Sequence, residues 1–383
     1  MASIRQRGPA TFLVQVSCGY DRDGKKIEKT KTFKLDPAMS KTQMQNEAKR
    51  LAAIFENEVK GGNYKDTRAT FAELADEWVK VYGKANLEET TLHGYEGELR
   101  TKILPAIGHI KLKELTPLHL MRFYKNLTED GVRLDGKPGG YSTRMIRYQH
   151  SIISVILQTA VYWQIIDENV ARKVQPPKGA WKQKKENYLD ESTTQSFLEY
   201  VLKNEPVLYQ ALANVTVFGG LRKGEALALT WPCILYGDGK IRIEKSIARV
   251  GKKTIVKSPK NKASVRTISV PPIVMQVFKK LQASSEAEFV FPMDYSTPSR
   301  WFSRIKKKFN KEHQDKIPES MSFHGLRHTS ATLLIAQGLD VRSLAARLGH
   351  ADMSTTMRSY VHELASRYRT ASDLLQESLG IRL

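Results

Sequence analysis

Several stretches of this chain carry side chains suited to one kind of reaction. Residues 322–329 read Ser-Phe-His-Gly-Leu-Arg-His-Thr, so His324 and Arg327 stand three apart and share one face of a helical turn. Leu348-Gly349-His350 follows, then Ser354-Thr355-Thr356 and Tyr360. Gly349 can end one helix and Ser354 can cap the next, which would present His350 in a turn and Tyr360 on a short helix. Earlier, Gly219-Gly220-Leu221-Arg222-Lys223-Gly224-Glu225 places an arginine at the turn before a helix. Glu225 is close enough in sequence to buttress Arg222 by a charge-assisted bond. Residues 257–266, KSPKNKASVR, add three lysines.

These types fit phosphoryl transfer. Breaking a phosphodiester without water or metal needs a nucleophile, a proton donor for the leaving oxygen, and fixed cations for the charge that builds on the phosphorane. Arginine suits the last task because its planar fork grips two oxygens and stays protonated. Each residue has a plainer reading. A lone Tyr360 would be an ordinary helix tyrosine, and Arg222 or Lys260 a solvated surface charge. His324 and His328, four apart, could form a metal pair, but no His-Glu-x-x-His motif or third ligand accompanies them, so no metal is expected.

The composition points to the same substrate class. There are 61 Lys and Arg against 40 Asp and Glu, a formal charge of +21 and a pI near 9.7. Such a surplus attracts polyanions, nucleic acid first among them. The two cysteines, Cys18 and Cys233, are far apart and leave no disulfide framework or cysteine zinc site. Cys18 is expected on an apolar strand face. No signal core or membrane-length apolar run is present, so a cytoplasmic protein without membrane contact is expected.

The elements that must position these residues are also legible. Phe12, Val14, Val16 and Cys18 alternate as a strand does, and a second strand over 27–34 carries Lys29 and Lys31. Those lysines predict a basic sheet face able to enter a DNA groove. A helix should start at Ser40 with Gln43 completing a capping box. A helical segment follows. Thr70 and Glu73 form a second box, Pro105 is expected to end a helix begun near Glu89, Thr116-Pro117 opens another, and Ser142 opens a long one. Residues 173–187, with two prolines, one glycine and a basic bias, read as a linker. Beyond it, helical patterns flank strands near 241–248, 254–257 and 266–270.

The ordered blocks GLRKGE, FHGLRHT, LGH and STTMRSYVH resemble the tyrosine recombinase (phage integrase) family. Residues 103–124 resemble the core-DNA-binding bundle of phage and conjugative-transposon integrases, and the opening ASIRQRG with its strands resembles their arm-binding domain. The resemblance covers nearly the whole chain and implies a multidomain α+β protein. An arm-type DNA-binding domain of β-sheet plus helix would span 1–64. An all-α core-binding bundle would span 68–172, and after the linker 173–187 a mainly α catalytic domain with a small antiparallel sheet would span 188–383.

The resemblance also implies roles. Arg222 and Arg327 would clamp the scissile phosphate, with His324 as base or hydrogen-bond donor and His350 on a non-bridging oxygen. Tyr360 would attack phosphorus and leave a 3′-phosphotyrosine. Lys260, selected by the family's hairpin pattern, would protonate the leaving 5′-oxygen, with Lys262 as the alternative. No cofactor, metal or ATP is implied. The partners are duplex DNA at core and arm sites, three further protomers in a tetramer, an excisionase and a host DNA-bending protein. The stripe Tyr368, Ala371, Leu374, Leu375 and Leu379 would pack on its own domain or, as in the family, on a neighbour. Gly325 stands where the family often has Asp, a departure expected to loosen that turn, and Phe218 where Thr is usual. A type IB topoisomerase and a non-catalytic DNA-binding regulator are the rival readings. The first needs no arm domain, and the second needs no complete Arg–Lys–His–Arg–His–Tyr set.

Overall fold

The structure, a computed structural model, describes residues 2–20, 24–60, 69–179, 187–257 and 264–350, together with Met357 and Leu379. The chain divides into two compact units, 1–181 and 182–383. Both mix helices with small antiparallel sheets, as an α+β protein does.

The first unit opens with an antiparallel sheet of β1 (Ser3–Gly8), β2 (Thr11–Tyr20) and β3 (Lys26–Lys34), paired in that order. Helix α1 (Lys41–Lys60) covers one face. Its capping box forms as expected: the Gln43 N–H donates to Ser40 Oγ at 3.3 Å and the Ser40 N–H to Gln43 Oε1 at 3.0 Å. Val14 and Val16 pack with Ala52 and Phe55. The register pairs Val14 with Lys31 and Val16 with Lys29, so both lysines lie on the α1 side. Lys31 Nζ sits 5.4 Å from the Phe33 ring centre and 5.5 Å from that of Phe55, and 3.4 Å from Glu58. The basic face expected from these two lysines is therefore turned toward the helix. The opposite face carries Arg5, Leu13, Gln15, Thr30, Thr32 and Lys34. Cys18 is exposed instead of apolar-facing, because the β2–β3 register shifts between Ser17 and Tyr20 and breaks the alternation.

The helical part of this unit contains α2 (Phe71–Trp78), α3 (Lys84–Asn86), α4 (Glu89–Glu98), α5 (Leu104–Ile107), α6 (Pro117–Asn126) and α7 (Thr143–Tyr162). Phe71, Trp78, Ile103, Leu120, Ile146 and Ile153 share its core. Pro105 does not end the helix. A π turn, Leu99–Ile103, joins α4 to α5, and the Leu104 N–H reaches back five residues to Leu99 O. The helical ladder is already shifted there, so a residue with no N–H to donate is accommodated.

The second unit runs α8 (Glu191–Asn204), α9 (Val207–Gly219), α10 (Lys223–Leu227), β4 (Ile234–Leu235), β5 (Lys240–Ile243), β6 (Ser246–Val250), β7 (Lys253–Lys257), β8 (Arg266–Ser269), α11 (Pro272–Gln282), α12 (Thr297–Glu312), α13 (Gly325–Ala336) and α14 (Val341–Leu348). Strands β4, β5 and β8 form one antiparallel sheet, and β6 pairs with β7 as a hairpin. Helix α9 packs against α8, α11 and α13 and is largely buried. Phe197, Phe278, Trp301, Phe302 and Phe309 fill the core. No described helix is long and apolar enough to cross a membrane.

Candidate active site

The site is built where three helix ends meet, and elementary backbone chemistry explains why arginines collect there. The last carbonyls of a helix lack intrahelical donors and carry partial negative charge, so cationic donors are favoured at C-termini. Arg327, on the first turn of α13 and buried, donates from Nη1 to Gly220 O at 2.7 Å, beyond the end of α9. Its Nη2 donates to Leu348 O at 2.6 Å, at the end of α14. Arg222 donates from Nη2 to Gly349 O at 2.9 Å. Two glycines make this convergence possible. Gly220 and Gly349 both cap their helices in the left-handed region, at φ of 63° and 65°, where a side chain is strained.

Glu225 binds the arginines to one another. Its carboxylate accepts from Arg222 Nη1 at 2.6 Å and from the Arg222 backbone N–H at 2.9 Å. It also accepts from Arg266 Nη2 at 2.9 Å and Nη1 at 3.2 Å, and lies 3.7 Å from Arg327 Nη1. Burial pushes this carboxyl upward, but the Arg266 hydrogen bond and the charges of Arg266, Arg222 and Arg327 outweigh it and hold the pKa at about 2. Gly224, beside it, touches the β6 backbone. A Cβ there would lie 2.3 Å from Ile247 O, so only glycine lets α10 dock on the hairpin.

The two histidines complete the cluster. His350 follows Gly349, and its Nε2 lies 3.0 Å from Arg327 Nη2. Burial, with the charges of Arg327, Arg222 and Arg266, lowers its pKa from 6.5 to about 4. A neutral imidazole accepting from Arg327 at Nε2 carries its proton on Nδ1. His324 precedes α13, and its pKa is lowered by partial burial and then by Arg327 and Arg222. The His324 ring meets that of His328 edge-on at 4.9 Å. Three guanidiniums, one carboxylate and two neutral imidazoles leave the cluster net positive, with donors converging from several directions. Such a set of donors and net charge is able to hold a phosphate oxyanion.

Of the six residues singled out in the sequence, the structure brings Arg222, Arg327 and His350 together by hydrogen bonds and places His324 one helical turn before Arg327. Lys260, its alternative Lys262, and Tyr360 lie outside the described residues, as does nearly all of the tail stripe. Two arginines were not singled out. Arg266 links Glu225 to Arg347 O at 2.6 Å, and Arg347 donates to Phe218 O at 2.8 Å and Ser269 O at 2.9 Å. Arg266 closes the lysine-rich stretch, and that position was its one sequence signal. At Gly325, where the family often has Asp, the turn is closely packed: a Cβ there would lie 2.6 Å from Met321 Cγ and 2.8 Å from Asn187 O. Among the described residues no three His, Cys, Asp or Glu side chains cluster as a metal site requires.

Residues 187–367 match the Phage integrase family and residues 70–128 its N-terminal SAM-like domain. The chain belongs to the tyrosine recombinase family. It is 28% identical over 317 residues to the putative prophage phiRv2 integrase of Mycobacterium tuberculosis, covering 81% of this chain and 78% of that one. The Tn1549 transposon integrase, solved with a circular intermediate DNA, superposes with a TM-score of 0.67 at 20% identity over 80% of this chain and 99% of that one. A lambda integrase tetramer bound to a Holliday junction superposes with a TM-score of 0.55 at 17% identity, over 91% and 95%. Both solved structures share the recombinase fold.

Proposed function

We propose that this recombinase integrates and excises a mobile element by cutting and rejoining duplex DNA through Tyr360. The phenolic oxygen attacks phosphorus, the bond to the 5′-oxygen breaks, and a 3′-phosphotyrosine forms. The leaving oxygen takes its proton from Lys260, or from Lys262 if the hairpin register favours it. Arg222 and Arg327 hold the charge on the phosphorane, while His324 and His350 bond its remaining oxygens. Bond energy is conserved in the phosphotyrosine. A 5′-hydroxyl from the other duplex therefore reverses the step on a new strand, with neither metal nor ATP.

The observation that carries the reading is the net-positive cluster in which Arg222 and Arg327 converge on helix-end carbonyls and His350 meets Arg327. Residues 188–383 would be the catalytic domain and 68–172 the core-binding domain. Residues 1–64, whose open sheet face bears Arg5, Gln15, Thr30, Thr32 and Lys34, would bind a separate arm site, with 173–187 as the tether. Four protomers would pair two duplexes, as in the lambda integrase tetramer, assisted by an excisionase and a host DNA-bending protein. Such work takes place where the genome is, which in a bacterium is the cytoplasm.

The test is trapping on a nicked suicide substrate. The wild-type chain should form a covalent protein–DNA band on a denaturing gel, and Tyr360→Phe should bind the same DNA without one. A covalent band from Tyr360→Phe would end the assignment.

A further inference from the structure

The turn that carries His324 and Arg327 is held from outside the catalytic cluster, at the point where the linker enters the second unit. Asn187 Oδ1 accepts the Ser322 N–H at 3.2 Å. Thr329, fully buried, has a hydroxyl that accepts the Leu189 N–H at 3.0 Å and donates to Gly325 O at 3.0 Å. The Asn187 carbonyl packs so closely on Gly325 that a Cβ there would lie 2.8 Å away. Leu189 is buried in the main core, which anchors the entering strand of chain. These contacts bracket residues 322–329 on both sides of His324 and Arg327. On the far side, Lys306, buried on α12, donates to Glu319 O at 2.7 Å and Met321 O at 3.2 Å and so fixes the approach to the same turn.

We infer that Asn187 and Thr329 are positioning residues, which latch the linker's exit to the His324–Arg327 turn and set the aim of those two side chains. The inference rests on the recombinase reading above. Its physical basis is leverage. Arg327 reaches Gly220 O and Leu348 O only from a fixed helix start, and a displacement of about 1 Å in a catalytic group lowers rate by as much as roughly a hundredfold. Neither Asn187 nor Thr329 contacts Arg222, Glu225 or His350 by any hydrogen bond described, so their effect must pass through the turn. Gly325 fits the same account. The Cβ of the family's common Asp would lie 2.8 Å from the Asn187 carbonyl and force one of them to shift, so the glycine and the latch belong together. The linker is also basic in sequence, with Lys182, Lys184 and Lys185 within five residues of Asn187.

The experiment uses the full-length protein on nicked suicide DNA, measuring covalent-adduct formation at saturating DNA alongside DNA affinity by gel shift. Thr329→Val removes both hydroxyl bonds at near-constant volume, and Thr329→Ser restores them. Thr329→Val should slow cleavage roughly 10- to 100-fold with affinity unchanged to about twofold, and Thr329→Ser should recover the wild-type rate to about twofold. Asn187→Ala should slow cleavage in the same sense and Asn187→Asp, which keeps the acceptor, should not. This second pair, at a partly exposed site, carries the test if Thr329→Val does not fold. Wild-type cleavage by both Thr329→Val and Asn187→Ala, or equal impairment of each conservative variant, would overturn the latch. Absence of any adduct from the wild-type chain would instead overturn the recombinase reading.

Discussion

The cluster around Glu225 and the open face of the N-terminal sheet both present positive charge, but they hold it differently. In the cluster, Glu225, Arg266 and Arg327 are buried or nearly so, and every guanidinium is tied to a carboxylate or a helix-end carbonyl. On the sheet, Arg5 and Lys34 stand exposed on a polar face whose neighbours are Gln15 and two threonines. A buried, tethered cation is preorganised for one oxyanion geometry, and its field is little screened. An exposed one adapts to whatever phosphate is near and weakens with salt. The first arrangement suits lowering a barrier and the second suits supplying affinity.

The comparison can be broken most decisively at Glu225. Glu225→Ala leaves Arg266 and Arg327 buried with less counter-charge and should destabilise the second unit by about 3–5 kcal/mol, read by denaturant unfolding. A loss of under about 1 kcal/mol would show that the arginines are compensated by the helix-end carbonyls alone. Arg327→Ala and Arg222→Ala should lower the cleavage rate by roughly 10²–10³-fold, read by adduct formation at saturating DNA, and rates near wild type would remove them from the chemistry.

A smaller effect is expected from pH. The His350 pKa falls from 6.5 to about 4 on folding, so between those values the unfolded chain takes up a proton that the folded chain refuses. Stability from this group is full above pH 6.5 and is lost as pH falls toward 4. Thermal unfolding of His350→Asn should therefore decline less than that of the wild type between pH 7 and 4, and parallel declines would contradict the neutral imidazole. The smallest effects belong to the sheet. Arg5→Ala or Lys34→Ala should leave core-site cleavage untouched and reduce the slope of log affinity against log salt for arm DNA by about one each. An unchanged slope would move arm binding off this face.

How legible was each region? The capping boxes at Ser40 and Thr70 were readable because they are local, satisfied within four residues. The pairing of Arg222 with Glu225 was readable for the same reason. Alternation in β2 identified the core face, but which face Lys29 and Lys31 shared depended on where α1 docked. Pro105 misled because proline's effect was judged on an α ladder, and a π turn changes the partner. Arg266 lies 41 residues from its partner Glu225, so its place at the end of the lysine-rich stretch does not say what it binds.

The sequence alone determined the family, the order of its arginine, histidine and tyrosine blocks, and the positive charge suited to a polyanion. It determined the helix starts at Ser40, Thr70, Thr116 and Ser142 as well, since caps act over a few residues. Only the tertiary structure decided which carbonyls the arginines occupy, that Glu225 serves three of them, and that Asn187 and Thr329 grip the His324–Arg327 turn. Those contacts span up to 140 residues, and their geometry exists only once the helix ends that supply the acceptors have been packed against one another.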